Sequence, residues 1–423
     1  MNVVKRKYLD RIVDRELDRA LESSGAVLIK GPKWCGKTRT AEERAASKIL
    51  MQDPNNTEHY KMIADSAPSL LLEGDVPRLI DEWQIAPVLW NGVRFEVDQR
   101  GENGQFILTG SVTPKNDPTL HTGTGRITRL FMRTMTLFES LESSGEVSLR
   151  TLFNGEADIK GRSPLTIDGL AFALARGGWP RSVGEKESIA LRRAYDYVDS
   201  LAETEISSSD GVERNPARIR NLMRSLARNV STAAKLTTIR EDMEGDDIIS
   251  DKTVTSYINA LRRMSVVEDL PAWCPAVRSK TAIRTSPKRH FVDPSIAVAV
   301  LRMSPEGLLK DFKTFGLLFE SLCVRDLRVY AQAMDGEVFH YRDRSGLEAD
   351  AIVHLKDGRW GAVEIKTGAK ETEKAAENLI KLKDRIDTER MTPPSFLMVL
   401  TASEYAYRRR DGVYVVPIGC LRD

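Results

Sequence analysis

The stretch Ala26-Val27-Leu28-Ile29-Lys30-Gly31-Pro32-Lys33-Trp34-Cys35-Gly36-Lys37-Thr38 joins an apolar run to the spacing G-x4-G-K-T. The run predicts a buried strand. Glycines at both ends of the following loop let backbone N–H groups turn inward around phosphate. In that pattern Gly31, Pro32, Lys33, Trp34, Cys35 and Gly36 form the cradle and Lys37 reaches the β- and γ-phosphates. The Thr38 hydroxyl ligates Mg²⁺. A helix starting near Lys37 adds the positive end of its dipole.

About fifty residues on, Arg78-Leu79-Ile80-Asp81-Glu82-Trp83 is a short apolar strand ending in two carboxylates. Asp81 is suited to hold Mg²⁺ through water, and Glu82 to orient and deprotonate an attacking water. A third strand, Gln105-Phe106-Ile107-Leu108-Thr109-Gly110-Ser111, ends in hydroxyls where a γ-phosphate sensor belongs, with Thr109 the candidate. The expected order is strand 26–30, helix 37–46, strands 48–52 and 78–81, helix 86–100 and strand 105–109. This alternation predicts an α/β fold, a parallel sheet with helices on both faces. Gly31, Asp81 and Thr109 all fall at the carboxyl ends of strands, where such sheets bind ligands. The implied cofactors are ATP and Mg²⁺.

At 423 residues the chain exceeds a single core. A net charge of +2 leaves any nucleic-acid affinity to local patches. Cys35, Cys274, Cys323 and Cys420 lack metal-ligand spacing and fit a reducing, cytoplasmic setting. Cys35, inside the loop, reads either as an oxidation-sensitive thiol or as plain filling. No apolar run reaches transmembrane length and no secretion signal is expected, so no membrane association is read.

Beyond the third strand, Arg126 and Arg129 are candidates for arginine fingers on a neighbouring subunit's γ-phosphate, which implies a homo-oligomer. Residues 140–210 read mainly as helices broken at Gly177-Gly178-Trp179-Pro180. Then follow a helix from Pro216 to Asn229, a second begun by a Ser231 cap, a third over Asp251–Met264, and a strand at Val266–Leu270. This is the layout of a winged helix, whose third helix can enter the DNA major groove. Arg278, Lys280, Arg284, Lys288 and Arg289 form a basic stretch suited to phosphate backbone.

The final third carries a second constellation. Glu364 and Lys366 alternate onto one strand face. A three-residue hairpin loop with Gly358 in the left-handed position sets Leu355 opposite Arg359 and therefore Asp350 opposite Glu364. The two carboxylates are candidate ligands for Mg²⁺ or Mn²⁺, Lys366 a group that positions or activates water, and Glu320, on a preceding helix, a fourth member. With strands at Phe396–Leu400 and Val413–Pro417, these elements resemble the PD-(D/E)XK nuclease core.

Together the phosphate loop, the Leu79–Gln84 strand, the Phe106–Ser111 strand, the Gly125-Arg126-Ile127 segment and the Phe319-Glu320, Glu348–Asp350 and Glu364–Lys366 series resemble bacterial and archaeal AAA-type ATPases. Those proteins have a C-terminal domain of formerly unknown function. A proline usual in the family phrase before Phe138-Glu139 is absent here, since Met135-Thr136-Leu137 precedes it. The resemblance implies a P-loop core with an additional strand (1–140), a helical segment (141–210), a winged-helix domain (211–290) and an α/β nuclease-like domain (291–423). The leading expectation is ATP hydrolysis coupled to DNA binding and metal-dependent cleavage. The alternative is an ATP-dependent DNA- or protein-binding switch whose nuclease-like domain is inactive.

Overall fold

The computed structural model describes residues 7–110, 123–155, 158–205, 212, 214–244, 249–275, 286–386 and 391–423. The chain forms two compact units, one built chiefly from residues up to Thr134 and the other chiefly from Met135 onward.

In the first unit, β1 (Ala26–Lys30), β2 (Ser47–Leu50), β3 (Arg78–Asp81), β4 (Phe106–Gly110) and β5 (Ile127–Phe131) form a parallel sheet in the order β2-β3-β4-β1-β5. Alternation along each strand feeds two cores. Leu28, Ile80, Phe106 and Leu108 pack with Leu89, Trp90 and Val93 of the helix Val88–Arg100. Val27, Ile29, Leu79 and Ile107 pack with Val13 and Leu17 of the helix Ile12–Ser23. Burial on both faces explains the unbroken apolar runs. The helix expected over 37–46 ends at Glu42. The Ala46 N–H is taken by the Pro77 carbonyl at 2.9 Å, which draws the chain into β2.

The second unit is organised around a seven-stranded sheet, β7-β12-β13-β11-β10-β9-β8. Its strands are β7 (Gly161–Arg162), β8 (Gly336–Arg342), β9 (Glu348–Leu355), β10 (Trp360–Lys366), β11 (Phe396–Thr401), β12 (Tyr405–Arg408) and β13 (Tyr414–Pro417). A separate pair joins β6 (Val147–Ser148) to β14 (Leu421–Arg422). The helix Phe312–Gln332 precedes an antiparallel β8-β9-β10 meander. The helix Thr372–Arg385 then crosses over to β11, which runs parallel to β10, and packs Ala375, Leu379 and Leu382 against Trp360 and Val399. The segments expected as 141–210, 211–290 and 291–423 lie largely within this one unit.

The helices Pro216–Arg228, Leu236–Glu244 and Asp251–Arg263 follow the expected order, and Val254 and Ile258 of the third are buried. Asn215 caps the first, accepting from the N–H groups of Ala217 and Arg218. Ser231 does not start the second helix. Its N–H goes to the Arg289 carbonyl and its hydroxyl to the Leu317 carbonyl, so it fastens the chain elsewhere. The stretch 266–270 forms an antiparallel ladder with 288–292 through reciprocal Leu270–Lys288 bonds and the Val267–Phe291 bridge. Among the described residues no helix is long and apolar enough to cross a membrane.

Candidate functional site

β1 delivers the chain into the phosphate loop, and the helix Lys37–Glu42 leaves it. Gly36 is left-handed at φ 106°, and so is Trp34 at 67°. A Cβ on Gly31 would sit 2.1 Å from the Met132 carbonyl, so only glycine fits there. The Lys37 ammonium, buried, donates to the carbonyls of Gly31 (3.0 Å) and Pro32 (2.9 Å), holding the cradle closed on itself. Cys35 is buried in the core, which favours filling over redox sensing and leaves its backbone alone to face a phosphate. Pro32 is buried, Lys33 half-buried and Trp34 exposed.

Asp81 lies at the buried carboxyl end of β3 and gathers three donors. Thr38 Oγ1 lies 2.8 Å from Oδ1, Gln52 Nε2 lies 2.5 Å from Oδ2, and the Thr109 hydroxyl also donates to Oδ1. The register explains the meeting, since Asp81 pairs with Thr109, and Thr109 with Ile29 just before the loop. Glu82 leaves the strand in left-handed geometry and gives its N–H to Thr109 Oγ1 at 3.3 Å. Its carboxylate accepts from the Gln84 amide. Burial raises the Glu82 carboxyl above its ordinary range, and the Lys37 charge opposes that rise. A half-buried carboxylate held in place, beside a threonine-linked aspartate and a phosphate-loop lysine, has the parts for activating water against a phosphoanhydride. The residues present therefore fit a nucleotide with Mg²⁺, with Thr38 and Asp81 as the groups that would hold the ion.

Three contributors carry no sequence signal. Arg11, buried, donates to the Cys35 carbonyl and to the Arg133 carbonyl, each at 2.9 Å, and so braces the loop from behind. Gln52 and Gln84 position the two carboxylates.

The finger candidates fall elsewhere on the sheet. Arg126 precedes β5 at its amino end, the edge opposite the phosphate loop, and pairs with Asp98 at 2.8 Å. Arg129 is exposed on β5, opposite Leu28, with its guanidinium 6.0 Å from the Trp90 ring centre. Neither is placed at its own phosphate loop.

In the second unit the hairpin has the expected register. Gly358 is left-handed at φ 89°, Leu355 pairs with Arg359, and Val363 faces Ala351, so Asp350 comes opposite Glu364. Lys366 Nζ reaches Asp350 Oδ2 at 3.0 Å and Glu364 Oε2 at 2.6 Å. Glu320 joins from the helix Phe312–Gln332, but through Lys288, whose Nζ lies 2.7 Å from Glu320 and 3.2 Å from Asp350. Burial pushes the Glu364 carboxyl up to about 8 and Glu320 up to about 7, each with help from the Asp350 charge. Burial also acts to raise Asp350, but the ammoniums of Lys288 and Lys366 outweigh it and hold Asp350 ionised.

This arrangement corrects two expectations. Lys288 and Arg289 are not a surface for phosphate backbone, because Arg289 is buried, Lys288 is largely covered, and both are ion-paired, Arg289 to Asp269 at 2.7 Å. Arg278, Lys280 and Arg284 lie outside the described residues. The carboxylates of Asp350, Glu364 and Glu320 do not fit a metal, because lysines already pair with each. Among the described residues no group of three or more His, Cys, Asp or Glu side chains is arranged to hold one.

A phosphate loop, an acidic strand end and a sensor strand inserted between them define a P-loop nucleotide-binding fold with the additional central strand. Residues 23–141 match the family described as AAA domain, in agreement with the P-loop fold of this segment. Residues 167–307 match a domain of unknown function (DUF8612), and residues 315–421 match another (DUF4143). No curated protein matches the chain. Among solved structures, a Walker-type ATPase of Pyrococcus abyssi is similar at 15% identity and TM-score 0.42, covering 70% of this chain and 96% of its own. The ORC2 protein of Aeropyrum pernix is similar at 11% identity and TM-score 0.30, covering 71% and 92%. A DNA polymerase III gamma subunit-related protein of Thermotoga maritima is similar at 12% identity and TM-score 0.24, covering 60% and 100%.

Proposed function

We propose that this chain is an ATP-hydrolysing switch whose second unit binds DNA. The observation that carries the ATPase half is the convergence of Thr38, Asp81 and Thr109 beneath a phosphate loop closed by Lys37, with Glu82 held beside them by Gln84. Bound Mg²⁺ would neutralise phosphate charge. Lys37 would bind the β- and γ-phosphates, and Glu82 would take a proton from the attacking water. DNA binding draws support from the third helix, Asp251–Arg263, which exposes Lys252, Thr255, Ser256 and Arg262. Such a face suits base edges and phosphates. Nucleotide-dependent binding of labelled duplex DNA, followed by anisotropy with ATP, ADP and no nucleotide, tests the reading. Equal affinity in all three states would sink the switch.

A second reading, DNA cleavage on the face that Asp350, Glu364 and Lys366 share behind the Glu320 helix, would require a divalent ion to displace Lys288 from Glu320 and Asp350. Incubation with linear, circular and branched DNAs in Mg²⁺ or Mn²⁺ tests it. Intact DNA under every condition leaves the binding switch.

A further inference from the structure

Three carboxylates, buried Asp350 and Glu364 and a partly covered Glu320, converge in the second unit, and each is paired with a lysine. Asp350 uses both oxygens, Oδ1 for Lys288 and Oδ2 for Lys366 and the Ile365 N–H at 2.9 Å. Glu364 is paired with Lys366, and Glu320 with Lys288. Lys366 belongs to the same hairpin as the acids it serves, whereas Lys288 comes from a different part of the chain. Its backbone is fixed in the ladder with Leu270, with N–H to carbonyl distances of 3.0 and 2.8 Å in the two directions. Its side chain is only 11% exposed, and Glu320 and Asp350 are each 13% exposed. With its backbone so anchored, its ammonium stands between two carboxylates, one from a helix and one from a strand.

We propose that Lys288 is a built-in replacement for a divalent cation: its ammonium fills the position between Glu320 and Asp350 and keeps the acidic centre free of metal. A compact +1 charge with three donors satisfies oxygen ligands much as a hard cation does, without an open coordination position for water. A divalent ion would have to expel one buried ammonium and tolerate a second, that of Lys366. The centre then works as a cross-link between the Glu320 helix, the β9-β10 hairpin and the 266–292 ladder.

Mn²⁺ titration of the nucleotide-free full chain, read by electron paramagnetic resonance and by thermal shift, provides the test. In wild type, Asp350→Asn should leave Mn²⁺ binding unchanged, because the centre takes up no ion. Lys288→Ala and Lys288→Gln should each gain one Mn²⁺ equivalent with at least tenfold tighter binding than wild type. Mn²⁺ should raise the melting temperature of these variants by several degrees, a gain lost in Lys288→Gln/Asp350→Asn. Asp350-dependent Mn²⁺ binding by wild type overturns the proposal, as does a folded Lys288 variant that gains none. Should neither variant fold, the comparison of wild type with Asp350→Asn decides by itself.

Discussion

The Thr38 hydroxyl lies 2.8 Å from Asp81 Oδ1, which joins the first turn after the phosphate loop to the end of the third strand. The pair would hold Mg²⁺ beside a bound nucleotide, where the ion would neutralise phosphate charge.

Lys37→Ala should weaken ATP binding at least tenfold, since it removes both the phosphate-facing charge and the bonds to the Gly31 and Pro32 carbonyls. Glu82→Gln should retain binding while slowing turnover by about 10²-fold or more, because an amide cannot accept the proton from water. Equilibrium binding of a fluorescent nucleotide alongside phosphate release separates the two. Equal turnover in Glu82→Gln and wild type would remove Glu82 from the base role.

Gln84 acts on the reaction only through Glu82, to which its amide donates. Gln84→Ala should lower kcat by about tenfold with little change in KM, the mark of a misdirected base. The conservative Gln84→Asn should recover less than half the loss, because its shorter side chain falls short of the carboxylate.

Hydrolysis per subunit should rise with protein concentration if Arg126 or Arg129 serves a neighbour's site. Mixing Arg129→Ala with Lys37→Ala should restore part of the turnover. A fully active, concentration-independent monomer ends the idea. Arg126→Ala should leave the urea-unfolding midpoint nearly unchanged, since its bond to Asp98 is exposed.

Asp350→Asn removes the charge that Lys288 and Lys366 share and leaves both ammoniums under-paired in a buried place. Destabilisation of about 3–5 kcal/mol is expected by urea unfolding. ATP hydrolysis should persist wherever the variant remains folded.

His340 on β8 has its basicity lowered to about 4 by burial and then by the Lys288 charge. The unfolded chain takes up that proton near 6.5, so the neutral folded form loses stability as pH falls from about 6.5 toward 4. Wild-type stability measured relative to His340→Gln should decline across this window and stay level above pH 7. A constant difference throughout would contradict a neutral, buried His340.

The phosphate loop, both acidic residues of the β3 end and the sensor strand could be read in sequence because each is a local pattern whose chemistry fixes its spacing. The hairpin register was equally accessible, since one left-handed glycine and a period of two determine which residues face each other. Lys288 looked like surface charge because composition does not record burial, and its partners lie 32 and 62 residues away. The Ser231 cap signal was overridden when the Arg289 carbonyl claimed its N–H. Arg11 and Gln52 contribute by reaching across the fold, which no short window reveals, whereas Gln84 meets Glu82 two residues away through the turn that follows β3. The two-residue strands β6 and β7 are too short to carry a periodicity at all.

Those two short strands also determine when the second unit can be finished. β7 borders β12, and among the described residues β6 pairs with β14, whose residues Leu421 and Arg422 come more than 270 positions later. During synthesis, residues 147–162 must wait without their partners while nearly the whole remainder of the unit is made. A nascent chain halted near residue 400 would therefore lack β12, β13 and β14 and leave β6 and β7 without their partners.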